Sequence, residues 1–187
     1  PLFTISLMPE AMIGGALPFL YHFANVGIHL VAACLVYTLF TELKYSKRVS
    51  LLLALIFLTH PILAQAVAWL PGRNDSLLAV FILASFIYFL DFIKEGKRMQ
   101  ILWSAIFFAL ALFTKETAIA LPVLCVVYLC LRGRLRTAAL LEFGAGWIIT
   151  VLAWLALRIN AFTNPLPMTL HGAIAAFIQN VPGTLQL

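Results

Sequence analysis

Few side chains in this sequence can do chemistry, and they gather in a handful of places. The run Pro71-Gly72-Arg73-Asn74-Asp75-Ser76 sets a guanidinium beside an amide and a carboxylate, and Thr114-Lys115-Glu116-Thr117 sets an ammonium beside a carboxylate. A guanidinium fork and the exposed N–H groups of a helix amino end both select phosphate, which makes the first run a candidate anion site. Lys115 would join it as a point charge, with Glu116 orienting the lysine or accepting a substrate hydroxyl, and Asp75 shaping the site. Both runs also have a plain structural reading. Pro-Gly makes the turn, Asn74 or Asp75 caps the next helix and Arg73 stays at the headgroups, while Lys115 and Glu116 are exposed turn residues.

His60 stands directly before Pro61, where a helix must kink or break, and Gln65 follows on the short stretch beyond. His22, Asn25 and His29 fall at i, i+3 and i+7, so one helix face carries all three. That stripe reads either as an interhelical hydrogen-bonding rail or as the wall of a cavity. Trp69 is an interfacial anchor or lines an entrance to the same cavity. Asp91 and Glu142 need only local partners, Lys94 and the basic cluster at Arg132 to Arg136. The three cysteines, Cys34, Cys125 and Cys130, lie in apolar runs and read as packed free thiols. No Walker A loop, dinucleotide glycine fingerprint, zinc-type Cys and His pattern, nucleophile elbow or HExxH occurs, so no metal site is assigned.

The elements that must position these groups follow from composition. Of 187 residues, 64% are hydrophobic and 10% charged, and the mean hydropathy is +1.05. Soluble domains are far more polar, so the chain reads as all-α: a polytopic membrane bundle of about six transmembrane helices, kinked or short at the outer face. Expected helices are Leu20 to Phe40, Val49 to Leu70, Asp75 to Phe92, Met99 to Phe113, Thr117 to Leu131 and Thr137 to Leu157. Residues 1–18 read as an outer loop, 19–158 as the six-helix core of a single membrane domain, and 159–187 as an outer loop leading into a further segment. The sequence opens on Pro1 without a signal peptide, so it reads as a fragment with at least one spanning helix upstream.

Nine of the twelve basic residues sit in three short connections, at Lys44, Lys47, Arg48, Lys94, Lys97, Arg98, Arg132, Arg134 and Arg136. The positive-inside rule makes those connections cytoplasmic and puts Arg73, Lys115 and both chain ends on the extracytoplasmic side. The formal charge of +5 is then topology, and nucleic acid is excluded as a partner. Leu53 to His60 also aligns without gaps to Phe108 to Lys115, each behind a Lys-Arg start, as a candidate hairpin repeat.

The run from Thr59-His60-Pro61 through Ala64-Gln65, Trp69-Leu70-Pro71-Gly72-Arg73-Asn74-Asp75, then Phe113-Thr114-Lys115-Glu116-Thr117 and Pro122, resembles the GT-C superfamily of polytopic glycosyltransferases. The likeness is strongest to the branch of transmembrane, tetratricopeptide-repeat O-mannosyltransferases and their bacterial relatives. Pro1 to Ser6 and Tyr21-His22-Phe23-Ala24-Asn25-Val26 with His29 resemble that branch's first outer loop and second helix. The resemblance implies a polyprenyl-phosphate-linked sugar as donor and a protein or glycan acceptor. It implies membrane lipid as surroundings, no tightly bound cofactor, and a bacterial inner membrane as location. It also implies direct displacement with inversion. Arg73, Lys115 and His60 would hold the donor phosphate, Asp75, Glu116 and Gln65 would shape the acceptor side, and His22, Asn25, His29 and Trp69 would form the cavity wall. The family's base is an acidic residue upstream in the first outer loop, a role not given to Glu10. A transporter or lipid flippase shares the broken helices, and a structural membrane subunit would lack a polar cavity altogether.

Overall fold

Breaks at Pro61 and Pro71 and a few short connections divide the described residues into eight helices. The computed structural model describes residues 2–15, 17–132 and 137–163, and the side chains of 137–141 and 161–163 lie outside that description. The helices are α1 Leu2–Gly14, α2 Pro18–Glu42, α3 Lys47–Thr59, α4 Ala64–Ala68, α5 Arg73–Glu95, α6 Arg98–Thr114, α7 Ala120–Leu131 and α8 Thr137–Thr163. Single 3₁₀ turns at Pro61–Leu63, Leu70–Gly72 and Glu116–Ile119 join or extend them. No strand occurs among the described residues. The chain divides into two compact units, Pro1–Trp154 and Leu155–Leu187, and the described part of the second is the carboxyl end of α8.

All six expected segments are helical, most of them a few residues longer than the apolar runs suggest. The expected outer loop at 1–18 is the exception, because Leu2–Gly14 forms a helix with Pro9 inside it. A proline removes one backbone bond of a helix but leaves the flanking turns able to form. Pro18–Glu42, Leu70–Glu95 and Glu142–Asn160 are long and apolar enough to cross a membrane. A fourth span results if α3 and Pro61–Ala68, bent by 49°, are taken together, which is the break expected at Pro61. α6 and the stretch Glu116–Leu131 are shorter. Leu51, Leu52, Val123, Leu131 and Ile149 all face outward, exposed by half or more. Such a surface belongs against lipid, and the chain is an integral membrane protein.

α5 and α6 form the centre. Ser85 Oγ donates to the Ser104 carbonyl at 2.8 Å and Ser104 Oγ donates to the Ser85 carbonyl at 2.9 Å, with both side chains fully buried. Such small hydroxyl residues let two backbones approach closely in a bilayer. Toward one end the contact widens into an aromatic cluster, where Phe143 meets Phe89 and Phe92 edge to face at 5.1 and 4.9 Å. Cys125 packs beneath this cluster, while Cys34 and Cys130 are exposed, so only one of the three thiols is packed as expected.

Glu42, Lys44, Lys94 and Arg132 line one small pocket, which brings the ends of α2, α5 and α7 together. Lys94 forms its ion pair with Glu42 rather than with Asp91. Glu142 reaches Arg98 at 3.9 Å, and the expected partners Arg134 and Arg136 lie outside the described residues. The candidate repeat has a local counterpart. Thr59 and Thr114 each end a helix and donate to the carbonyl four residues back, at 2.9 and 2.8 Å. An extended residue follows each, His60 or Lys115, and then a 3₁₀ turn.

Candidate functional site

The break between α3 and α5 frees backbone groups that a bilayer would leave unsatisfied. In an unbroken helix the Leu58 carbonyl would accept from the Ile62 N–H. Here the Ile62 N–H donates to His60 Nδ1 at 3.3 Å, and the Leu58 carbonyl lies 3.2 Å from His29 Nε2. A carbonyl only accepts, so His29 donates from Nε2, and neutral His60 carries its proton on Nε2. The Val67 carbonyl would look to residue 71, but Pro71 has no N–H. Asn25 Nδ2 donates to it instead, at 3.1 Å. Asn25 and His29, one turn apart on α2, are therefore a donor rail for the broken segment. The interhelical reading of the stripe holds for these two residues.

Beside the break lies a cavity of about 600 Å³, lined by His22 and His29 of α2 and by Thr59, His60, Pro61 and Val67 among others. His22, His29 and His60 all line it. Asn25 is buried behind the wall, and neither Trp69 nor Gln65 is among the lining residues. Both of those side chains are exposed. The lining carries three imidazoles and a hydroxyl but no carboxylate, ammonium or guanidinium, which suits a hydrogen-bonding ligand.

Arg73 occupies a different place from the one its motif suggests. Its side chain is fully buried. Nε donates to Asn25 Oδ1 at 2.5 Å, one terminal nitrogen donates to the Ser6 carbonyl at 2.7 Å, and the other to the Tyr21 carbonyl at 3.0 Å. Glu10 Oε1 completes the set at 2.8 Å. With its fork occupied by α1 and α2, Arg73 has no exposed face for a phosphate, and its expected position at the headgroups is corrected to a buried interhelical latch. α5 starts at Arg73 itself without a side-chain cap, so Asn74 and Asp75 do not cap it. Glu10 is the residue that the sequence reading passed over. A lone carboxylate in an apolar helix demands a cationic partner, and that demand was the available signal. Gly72 permits the geometry: a Cβ there would sit 2.6 Å from the Gln65 carbonyl oxygen and 2.8 Å from Ala66 Cα.

Asp75 projects from the first turn of α5, and Lys115 lies between α6 and the following 3₁₀ turn. The two form an ion pair across 40 residues of sequence, each partly exposed. Lys115 adopts an extended backbone, φ −151° and ψ 134°, which turns the chain at the end of α6. Glu116 is exposed in the same turn. The arrangement joins the Asp75 and Lys115 of the two sequence motifs, while leaving Arg73 behind them. A partly exposed carboxylate on an ammonium is an exchangeable partner, since such pairs are held weakly. Among the described residues no three His, Cys, Asp or Glu side chains are placed to hold a metal ion.

A helical membrane bundle with a broken span and an ion-paired turn defines the class: a polytopic integral membrane protein with a cavity beside the break. Within that class the chain belongs to glycosyltransferase family 87, whose profile matches residues 1–186. It is 30% identical over 133 residues to protein O-mannosyl-transferase TMTC3 of Mus musculus, covering 68% of this chain and 14% of that protein. It is 31% identical over 125 residues to protein O-mannosyl-transferase Tmtc1 of Drosophila melanogaster, covering 67% of this chain and 15% of that protein. With human protein O-mannosyl-transferase TMTC4 it shares 33% identity over 126 residues, 57% of this chain and 17% of that one. The chain thus spans a small part of the length of these relatives. No solved structure matches it.

Proposed function

We propose that these residues form part of the membrane core of a glycosyltransferase that moves a sugar from a polyprenyl-phosphate donor to a protein or glycan hydroxyl at the extracytoplasmic face. The observation that carries the reading is the Lys115–Asp75 pair, which holds an ammonium at the end of α6 on a partner that a phosphate can displace. In the transfer the acceptor hydroxyl gives its proton to the upstream acidic base that the resemblance implies, its oxygen attacks the anomeric carbon as the bond from that carbon to the phosphate oxygen breaks, and negative charge grows on the departing phosphate. Lys115 stabilises that charge, which makes its contribution larger in the transition state than in the bound donor. Asp75 holds the ammonium in place before the donor arrives, and Glu116 stands beside it for the acceptor. The hydrogen-bonding wall of His22, His29 and His60 suits the sugar ring, and Arg73 positions the helix ends around both. The family match and the O-mannosyltransferase names of the relatives support this chemistry.

The test is transfer by the intact protein from a polyprenyl-phosphate mannose donor, comparing wild type with Lys115→Ala at equal expression. A loss of at least tenfold in kcat/KM is expected. Undiminished transfer by Lys115→Ala would remove the lysine from the donor site.

A further inference from the structure

At the opposite end of the bundle Lys44, Lys94 and Arg132 surround a pocket of about 220 Å³ that the transfer reaction does not use. Lys44, Lys94 and Arg132 face it together with Glu42, and Leu90, Leu129 and Tyr128 supply the apolar part of the lining. Lys94 is neutralised by Glu42. Among the described residues no ion pair reaches Lys44 or Arg132. The Arg132 guanidinium lies over the Tyr128 ring, its Cζ 5.5 Å from the ring centre.

Lys44 is held there at a conformational cost. Its N–H donates to the Thr41 carbonyl at 3.0 Å, and that of Tyr45 donates to the Phe40 carbonyl at 3.1 Å, which is the Schellman end of α2. That motif needs one left-handed residue, and Lys44 takes the position with φ 73°. The equivalent position after α5 is held by Gly96 at φ 71°. The chain therefore uses glycine where only the turn matters and lysine where the turn faces the pocket. A lysine's affinity for a helix carboxyl end does not require it to occupy the strained position itself.

We propose that this pocket binds the phosphodiester of an anionic phospholipid, with Lys44 and Arg132 on the phosphate oxygens and the glycerol lying toward Leu90 and Leu129. The mixture fits such a headgroup: two uncompensated cations around a small space, beside apolar side chains, at the end of a lipid-facing bundle. A soluble phosphate has the same charge but gains nothing from the apolar lining.

The strained lysine makes the proposal separable from folding. The intact protein in mild detergent is titrated with dioleoylphosphatidylglycerol or dioleoylphosphatidylcholine and read by native mass spectrometry. The variants are Lys44→Gly, Arg132→Gln and the pair together. Wild type is expected to retain the phosphatidylglycerol at least fivefold more strongly than the phosphatidylcholine. The double variant should bring the two lipids level, while Lys44→Gly alone leaves the thermal midpoint unchanged or raises it. Equal retention of both lipids by wild type, or a preference that survives in the double variant, overturns the proposal. Loss of the preference on adding millimolar inorganic phosphate overturns it too, because the site is then one for a soluble anion.

Discussion

His29 and His60 complete opposite halves of one missing helical bond: His60 Nδ1 takes the Ile62 N–H at 3.3 Å, and His29 lies 3.2 Å from the Leu58 carbonyl. The two roles predict different tolerances. Asparagine is a strong amino-terminal cap, so His60→Asn should keep the thermal midpoint of the intact protein close to wild type, whereas His60→Ala lowers it by the equivalent of about 1 kcal/mol. His29→Leu leaves a buried carbonyl without its donor and should cost about 1–3 kcal/mol. Equal tolerance of His60→Ala and His60→Asn in thermal unfolding would show that the imidazole does not cap the 3₁₀ turn.

Arg73 is fully buried and its partner Glu10 largely so, and such a charge is costly once its partner is removed. Arg73→Met strands the Glu10 carboxylate and should destabilise by about 3–5 kcal/mol, while the double change Arg73→Met with Glu10→Leu should recover part of the loss. Arg73→Lys should not rescue, because one ammonium cannot reach Ser6, Tyr21, Asn25 and Glu10 together. Urea or thermal unfolding in detergent measures all three. A wild-type midpoint for Arg73→Lys would mean the fork geometry is not used.

Gly72 meets backbone rather than side chain. A methyl there would press on the Gln65 carbonyl oxygen and Ala66 Cα, neither of which can rotate away. Gly72→Ala should therefore cost about 1–3 kcal/mol and loosen the start of α5. Hydrogen exchange at the amides of residues 73–76 reads the loosening directly, and unchanged protection there would refute the close approach.

The reciprocal bonds of Ser85 and Ser104 predict coupling. In a double-mutant cycle to alanine the two changes should interact by about 0.6–1.7 kcal/mol, the range expected of interhelical bonds in a bilayer. Additive effects on the unfolding midpoint would mean that the helices pack equally well without the hydroxyls.

The helices themselves were legible because apolar runs bounded by charge have few alternatives in lipid. The break at Pro61 was legible for the same reason, since an imino acid removes a donor wherever it stands. What the sequence does not reveal is the direction of a polar side chain. Arg73 carries the chemistry of a phosphate ligand, yet its burial depends on Glu10, 63 residues earlier in a segment that reads as loop. Asn25 and His29 show the opposite case: their four-residue spacing gave the shared face. Only the position of the orphaned carbonyls at Leu58 and Val67 makes the two residues a donor rail, a role His29 combines with lining the cavity.

The pair of Asp75 and Lys115 separates a structural role from a chemical one. Both side chains are partly exposed, so the ion pair contributes little to stability, about 0–1 kcal/mol. Exchanging them, Asp75→Lys with Lys115→Asp, preserves the attraction but moves the ammonium from the end of α6 to the first turn of α5. If the pair served only the fold, the exchanged protein would keep both its thermal midpoint and its activity. If Lys115 meets the leaving phosphate, the midpoint stays near wild type while kcat falls at least tenfold, because the charge no longer stands where it develops in the transition state. Asp75→Asn supplies the control. It frees the ammonium without moving it, and should change KM for the donor by more than it changes kcat. Transfer kinetics on wild type and the two variants, at matched midpoints, distinguish the two roles, and full activity in the exchanged protein would place the donor phosphate elsewhere.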